Sequence, residues 1–255
     1  MIPASVVIVT KNEERNIGDA LDSVGNFAEI VVVDDFSTDG TAEIARRYTD
    51  KIHQVRWQGY AKQKQTGIDM ATLPWVLVLD ADERVTGELR DEIAGAIDKA
   101  DCAGYFIARK NFFLGTWIRH GGWWPDYTLR FFRKDAGRME QREVHEKIVV
   151  TGKVGHFRNP MTHITYRTLA EYVRKMDRYA TLSARELRVN GKNFSPSSLV
   201  LNPLATFLRM YVLQQGFRDG FPGFVLAGLY SFYAYLKYLK LWEMERDQGT
   251  DGDSR

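Results

Sequence analysis

Three short apolar runs constrain this chain more than any other feature. They are Ser5–Thr10 (SVVIVT), Ile30–Asp34 (IVVVD) and Trp75–Asp80 (WVLVLD). A β-branched run that is apolar at nearly every position is buried on both faces, as in a parallel strand. The segments between them have helical character. Arg15–Val24 places Ile17, Leu21 and Val24 on one face, and Thr41–Tyr48, Tyr60–Ala71 and Thr86–Lys99 also read as helices. Lys51–Gln54 reads as a short edge strand and Gly104–Arg109 as a further strand. The alternation predicts an α/β fold with an open, mostly parallel sheet and helices on both faces. Ligands of such sheets bind beyond the carboxyl ends of the strands. There the three runs end in Thr10-Lys11-Asn12-Glu13, Asp34-Asp35 and Asp80-Ala81-Asp82-Glu83.

Residues i and i+2 of an extended chain point the same way, so Asp80 and Asp82 can face one site. Two hard carboxylates there suit Mg²⁺ or Mn²⁺ holding a diphosphate. The alternative is an acidic turn before the helix at Thr86. Asp34 and Asp35 precede a turn, Phe36-Ser37-Thr38-Asp39-Gly40-Thr41, and a carboxylate in that place can accept from a base N–H or a ribose hydroxyl. Asp39-Gly40 reads as turn and cap chemistry.

Residues 110–165 are irregular around Gly121-Gly122-Trp123-Trp124-Pro125, with an amphipathic strand at Thr128–Arg133. A long helix follows over Thr168–Val189, opened by the capping box Thr168-Leu169-Ala170-Glu171. A linker spans Asn190–Ser198, and Pro203–Gln215 and Pro222–Met244 read as two helices opened by proline.

The motifs V-V-I-V-T-K-N-E-E, I-V-V-V-D-D-F-S-T-D-G-T and L-V-L-D-A-D-E, in this order and spacing, resemble family 2 glycosyltransferases, whose fold is the GT-A nucleotide-diphospho-sugar transferase fold. The resemblance is firm over residues 4–109. It implies that Thr10 and Glu13 line a nucleotide pocket, that Asp34 or Asp35 reads the uracil, and that Asp80 and Asp82 hold ribose and metal. Lys62 and Gln65 match positions where the family approaches the nucleotide; a solvated helix face is the other reading of Lys62. The second half, with G-G-W-W-P-D-Y-T-L-R-F-F-R-K and V-H-E-K-I, is similar to bacterial glucosyltransferases of the lipopolysaccharide inner core. That subgroup moves glucose from UDP-glucose to a heptose in β-1,4 linkage, with inversion.

Direct displacement at an anomeric carbon needs a base on the acceptor hydroxyl and a stabilised diphosphate leaving group. A bound metal supplies the second. A carboxylate downstream of the DxD motif supplies the first, with Glu146 the first choice, Asp126 the second and Glu143 an outside candidate. His145 is a candidate metal ligand or diphosphate contact. Arg130 can clamp a phosphate on donor or acceptor. Trp123 and Trp124 are either a sugar-stacking pair or core anchors. His120, His156 and His163 carry no assignment.

Net charge is +2, but it is uneven: residues 1–150 carry 20 Lys and Arg against 24 Asp and Glu, and residues 151–246 carry 14 against 6. An acidic front with a basic, aromatic back points to an anionic partner, here a membrane surface rather than nucleic acid. Gly220–Leu236 has no charge, yet it is short for a bilayer crossing. It reads as interfacial helices lying on an anionic leaflet, the alternative being a helical pair packed on the catalytic domain or in a homodimer. The lone Cys102 excludes an internal disulfide, and the N-terminal residues lack a signal-peptide pattern.

The expectation is therefore a GT-A catalytic domain over 1–198 (nucleotide half to about 109, acceptor half beyond), a membrane-associating helical region over 199–246 and a disordered tail over 247–255. The function expected is metal-dependent, inverting transfer of a hexose from a UDP-sugar to a lipid-linked saccharide, on the inner face of the cytoplasmic membrane. A polyprenyl-phosphate glycosyltransferase and a non-catalytic membrane-binding module are the alternatives. A nucleotidyltransferase would need an early glycine-rich basic loop, which Lys11-Asn12-Glu13-Glu14-Arg15 is not.

Overall fold

The computed structural model describes residues 1–99, 101–140 and 147–252, with side chains through Arg246. The chain divides into two compact units, residues 1–110 with 125–164, and residues 111–124 with 165–255.

The elements, in order, begin with β1 (Ile2–Thr10), α1 (Ile17–Ser23), β2 (Phe27–Asp34), α2 (Thr41–Ala45), β3 (Ile52–Gln54) and α3 (Tyr60–Met70). Next come β4 (Trp75–Asp80), β5 (Glu83–Arg84), α4 (Gly87–Lys99), β6 (Gly104–Phe113), β7 (Thr116–Trp117) and β8 (Asp126–Arg133). Then follow β9 (Gly137–Glu140), β10 (Lys147–Val150), β11 (Val154–His156) and β12 (Met161–Tyr166). The helices α5 (Leu169–Val189), α6 (Ser198–Leu208) and α7 (Gly220–Gly252) complete the chain, with a π turn over Arg209–Leu213 and a 3₁₀ turn over Gly216–Asp219 before α7.

In the first unit the expected parallel layer is present: β3, β2, β1 and β4 are adjacent and all parallel. Alternate residues of each strand feed opposite cores. Val6, Ile8, Ile30, Val32, Leu77 and Leu79 pack with Ile17 and Leu21 of α1 and Leu89 and Ile93 of α4. Val7, Val31, Val76 and Val78 pack with Ala61 and Ile68 of α3. Helices thus cover both faces, which is why the strands are apolar at consecutive positions. Gly67 permits a close approach of α3 to β1: a Cβ there would lie 2.3 Å from Val7 Cγ1.

Beyond β4 the sheet departs from the parallel expectation. β8 pairs antiparallel to β4 and to β6, so the Gly104–Arg109 strand does not continue the parallel layer. A strand run specifies burial but not the direction of its neighbour, and here the connection reverses it. Strand β8 also carries a bulge. Tyr105 pairs with Phe131 and Phe106 with Leu129, leaving Arg130 as the extra residue. Leu129 and Phe132, three apart, consequently share one core layer, which an unbroken two-residue repeat would forbid.

The second unit has its own aromatic core: Phe113, Ile118, Trp123, Tyr172, Met176, Met210, Leu226 and Ala227. Its helix α5 opens on the expected capping box, with Thr168 accepting from Glu171 N and the Glu171 carboxylate accepting from Thr168 N. Pro203 is a correction. It lies inside α6, which starts at Ser198 rather than at the proline. Proline removes one helical donor, and a nearby carbonyl, Ser198 O, accepts from Asn202 Nδ2 at 3.1 Å.

Candidate active site

The carboxyl ends of β1, β2 and β4 bring Thr10, Asp34, Asp35, Asp80 and Asp82 to one edge of the parallel layer, because these strands are neighbours in register: Thr10 opposes Asp34, and Val9 opposes Asp80.

The loops after β1 and β2 are tied to each other. Asn12, held at φ 55°, donates from its backbone to Ser37 Oγ (2.9 Å) and accepts from Thr38 N (2.8 Å). Glu13 N donates to Thr41 Oγ1 at 2.7 Å, and the Glu13 carboxylate accepts from Asn16 Nδ2 at 2.7 Å. The two aspartates at the end of β2 differ. Asp34 is fully buried and closes the turn, accepting from Ser37 N and Ser37 Oγ. Asp35 accepts from Trp57 N at 3.0 Å and from Lys11 Nζ at 2.5 Å. The Lys11 ammonium holds its carboxyl below the usual range against a smaller opposing effect of burial. Thr10 Oγ1 is buried with no hydrogen-bond partner among the described residues.

The end of β4 is a charge network. Asp80 meets Lys64 Nζ at 2.8 Å through one oxygen and Arg130 Nη2 at 2.5 Å through the other. Arg130 also meets Glu83 Oε1 at 2.7 Å, and the other Glu83 oxygen accepts from Asp80 N at 3.0 Å. Arg109 continues the chain from Glu83 (3.5 Å) to Asp126 (2.7 Å). Glu83, Lys64 and Arg130 are buried, so each charge needs a partner. Burial alone would raise the Asp80 pKa, but Arg130 and Lys64 outweigh it and hold the carboxylate ionised far below its ordinary value. Burial likewise opposes the charge on Arg130, and Asp80 and Glu83 overcome it. The bulge in β8 is what re-aims Arg130 into this cluster.

Asp82, two residues on, is as exposed as Asp80 but has a different partner. Its side chain is 26% exposed and its Oδ2 lies 3.4 Å from His163 Nε2. Strand β12 positions that histidine: His163 opposes Glu83, and Ile164 N donates to Asp82 O at 2.9 Å. Among the described residues no group of three or more His, Cys, Asp or Glu side chains is gathered as a metal cluster. One partly exposed carboxylate with an adjacent imidazole nevertheless suits an ion that takes its remaining ligands from a diphosphate and water.

The remaining expected site residues scatter. Lys62 is exposed on α3, and Gln65 is a structural contact, accepting from Met139 N and donating to Asp69. Trp123 is a core residue of the second unit, edge-on to Phe113 and Tyr230, and Trp124 is half-buried against Trp117. Glu143, His145 and Glu146 lie outside the described residues. Lys64, Glu83, Arg109 and His163 were not anticipated. Lys64 had a readable signal, since it falls between Ala61 and Ile68 on the buried face of α3.

A family model described as Glycosyl transferase family 2 matches residues 5–158, the stretch that contains every one of these carboxylates. The chain belongs to glycosyl transferase family 2. This glycosyltransferase is 33% identical over 255 residues to the lipopolysaccharide core biosynthesis glycosyltransferase LpsC of Rhizobium meliloti, covering 95% of this chain and 93% of the relative. It is 29% identical to an uncharacterized glycosyltransferase of Rickettsia typhi, covering 94% and 87%. Among solved structures, the mannosyltransferase PcManGT from Pyrobaculum calidifontis, in complex with GDP-Man and Mn²⁺, superimposes with a TM-score of 0.49 at 16% identity, covering 94% of this chain and 87% of that one.

Proposed function

We propose that this glycosyltransferase moves a hexose, with UDP-glucose as donor, onto a lipid-linked saccharide, a heptose of the lipopolysaccharide inner core, with inversion and with Mg²⁺ or Mn²⁺ bound. It works at the inner face of the cytoplasmic membrane as a peripheral protein. The observation that carries the reading is the pair of partly exposed carboxylates at the end of β4, Asp80 held by Lys64 and Arg130 and Asp82 beside His163. The 33% identity to LpsC across nearly the whole chain supports the core saccharide as acceptor.

In this reading Asp35 reads the base, because Asp34 is spent on its turn. Thr10 offers a buried hydroxyl to the nucleotide, and Glu13 borders it. Asp82, with His163, would hold the divalent ion, which when bound neutralises the diphosphate. Arg130 acts by fixing Asp80 and Glu83, so its role is to position the acidic turn rather than to clamp a phosphate of donor or acceptor. The acceptor hydroxyl attacks C1, the C1–O bond to the diphosphate breaks, and the hydroxyl proton passes to Glu146, with Asp126 the second choice.

The test is transfer from UDP-glucose, UDP-galactose and UDP-N-acetylglucosamine to a heptose-terminated core acceptor and, in parallel, to polyprenyl phosphate, with each metal. Glucosylated heptose is the expected product. Glycosylated polyprenyl phosphate alone would replace the acceptor assignment, and no metal-dependent donor turnover with any acceptor would overturn the reading.

A further inference from the structure

The second unit ends in a helical hairpin whose outer surface is apolar. Helices α6 and α7 run antiparallel: Ser231 Oγ donates to Pro203 O at 2.9 Å, and nearer the turn the rings of Phe207 and Phe224 lie 5.9 Å apart. The turn is tight. A Cβ on Gly223 would lie 2.1 Å from Gly216 O, and one on Gly216 2.8 Å from Met210 O. Around it Leu213 is 76% exposed and Phe221 77%, with Val212, Phe217 and Phe224 about half exposed. A stripe of Val200, Leu201, Leu204 and Leu208, all exposed, extends this surface along α6.

Charge near the tip of the hairpin has one sign, the acids of α7 beginning only at Glu243. From residue 187 to 242 the basic residues are Arg188, Lys192, Arg209, Arg218, Lys237 and Lys240, and the one acidic residue is Asp219. That acid is turned inward, 4% exposed, accepting from His120 N at 2.8 Å and from Arg119 N, and paired with His120 Nδ1 at 2.9 Å. No helix among the described residues is long and apolar enough to cross a membrane. An exposed apolar tip in a segment with basic side chains and no outward-facing acid matches a surface that is oily beneath and anionic above.

We propose that the hairpin tip inserts into the outer layer of an anionic bilayer, with Leu213, Phe217 and Phe221 as the wedge and Arg209 and Arg218 at its rim against lipid phosphates. This gives the membrane contact of the proposed function its residues and its mode, shallow insertion rather than electrostatic adhesion, and it rests on that reading only for its biological setting.

The experiment is co-sedimentation of the full chain with vesicles of phosphatidylethanolamine and phosphatidylglycerol, against phosphatidylcholine alone, at low and high salt. Wild type is expected to bind the anionic vesicles and to retain binding in high salt. Leu213→Glu with Phe221→Glu is expected to weaken partition by more than about tenfold, each change removing one apolar anchor. Donor hydrolysis by the same variant, which touches no residue of the candidate active site, stays unchanged and reports its folding. A separate Leu213→Trp variant is expected to be quenched by lipids brominated near the headgroup. Vesicle binding that the double substitution leaves intact, or that vanishes in salt, would overturn the proposal. So would a wild-type dimer that the substitution converts to monomer without loss of vesicle binding, since a second copy would then cover this face. Loss of donor turnover with vesicle binding retained would count against the proposed activity and leave the surface standing.

Discussion

The strand ends of the first unit and the helical hairpin of the second treat their side chains in opposite ways. At the strand ends, buried and half-buried charges are joined into a chain of alternating sign running from Lys64 through Asp80, Arg130, Glu83 and Arg109 to Asp126. In the hairpin, large apolar side chains face outward and the one nearby acid faces inward. The first arrangement keeps polar groups in fixed positions away from water, where electrostatic preorganisation is effective. The second leaves unused the burial that would have stabilised the fold. The comparison teaches that the sum of hydrophobic burial is a poor guide to purpose: one region invests in rigidity, and the other holds apolar area back.

This contrast can be broken at several points. The largest effect is expected on chemistry. Asp82→Ala should lower kcat for transfer by about a thousandfold or more while leaving the thermal midpoint nearly unchanged, since Asp82 is partly exposed and is not a member of the chain from Lys64 to Asp126. Glu146→Gln should also abolish transfer, with donor binding intact in a calorimetric titration. Next comes Arg130→Leu. It leaves the buried Glu83 and the half-buried Asp80 without their shared cation, and should cost about 3–5 kcal/mol in denaturant unfolding. A loss below about 1 kcal/mol would show that the network is not holding the strand ends.

A smaller effect concerns pH. Glu29 is a buried carboxylate of β2 that accepts from Ser5, Thr72 and Lys51. Burial opposes its charge, but these partners prevail and lower its pKa from 4.5 to about 2. Its folded pKa lies below its unfolded one, so its contribution is complete above about pH 4.5 and is lost as pH falls towards about 2. Glu29→Gln should remove up to about 3 kcal/mol at neutral pH and flatten stability against pH across that window. The smallest effect is expected in the hairpin. Leu213→Ser should change stability by less than about 0.5 kcal/mol, because little of its surface is buried on folding. A larger loss would mean that the tip is part of the fold after all.

Local patterns in the sequence reveal the parallel half of the sheet well. Continuous apolar runs mark β1, β2 and β4 to within a few residues, and Trp75–Asp80 is unchanged. The capping box at Thr168 is legible because both of its partners lie within one turn. What is not legible depends on long-range pairing. Nothing in Thr128–Arg133 announces that it will lie antiparallel between β4 and β6, or that Arg130 will be squeezed out of register. The candidate site shows the same division. The acidic strand ends stand out as motifs, whereas the cations that hold them come from a helix and from strands far along the chain. Lys62 drew notice because of where it falls in the motif, while its neighbour Lys64, on the buried face of the same helix, makes the contact with Asp80.

The bulge in β8 has one more consequence. It acts as a phase shift in a two-beat rhythm: residues before and after Arg130 keep time with different faces of the sheet. Substituting Arg130 removes a charge and keeps the bulge, whereas deleting Arg130 would place Leu129 and Phe132 two apart on one face of an unbroken strand, so both core layers keep their side chains and the buried cation is lost. For this strand the spacing of residues carries as much information as their identity.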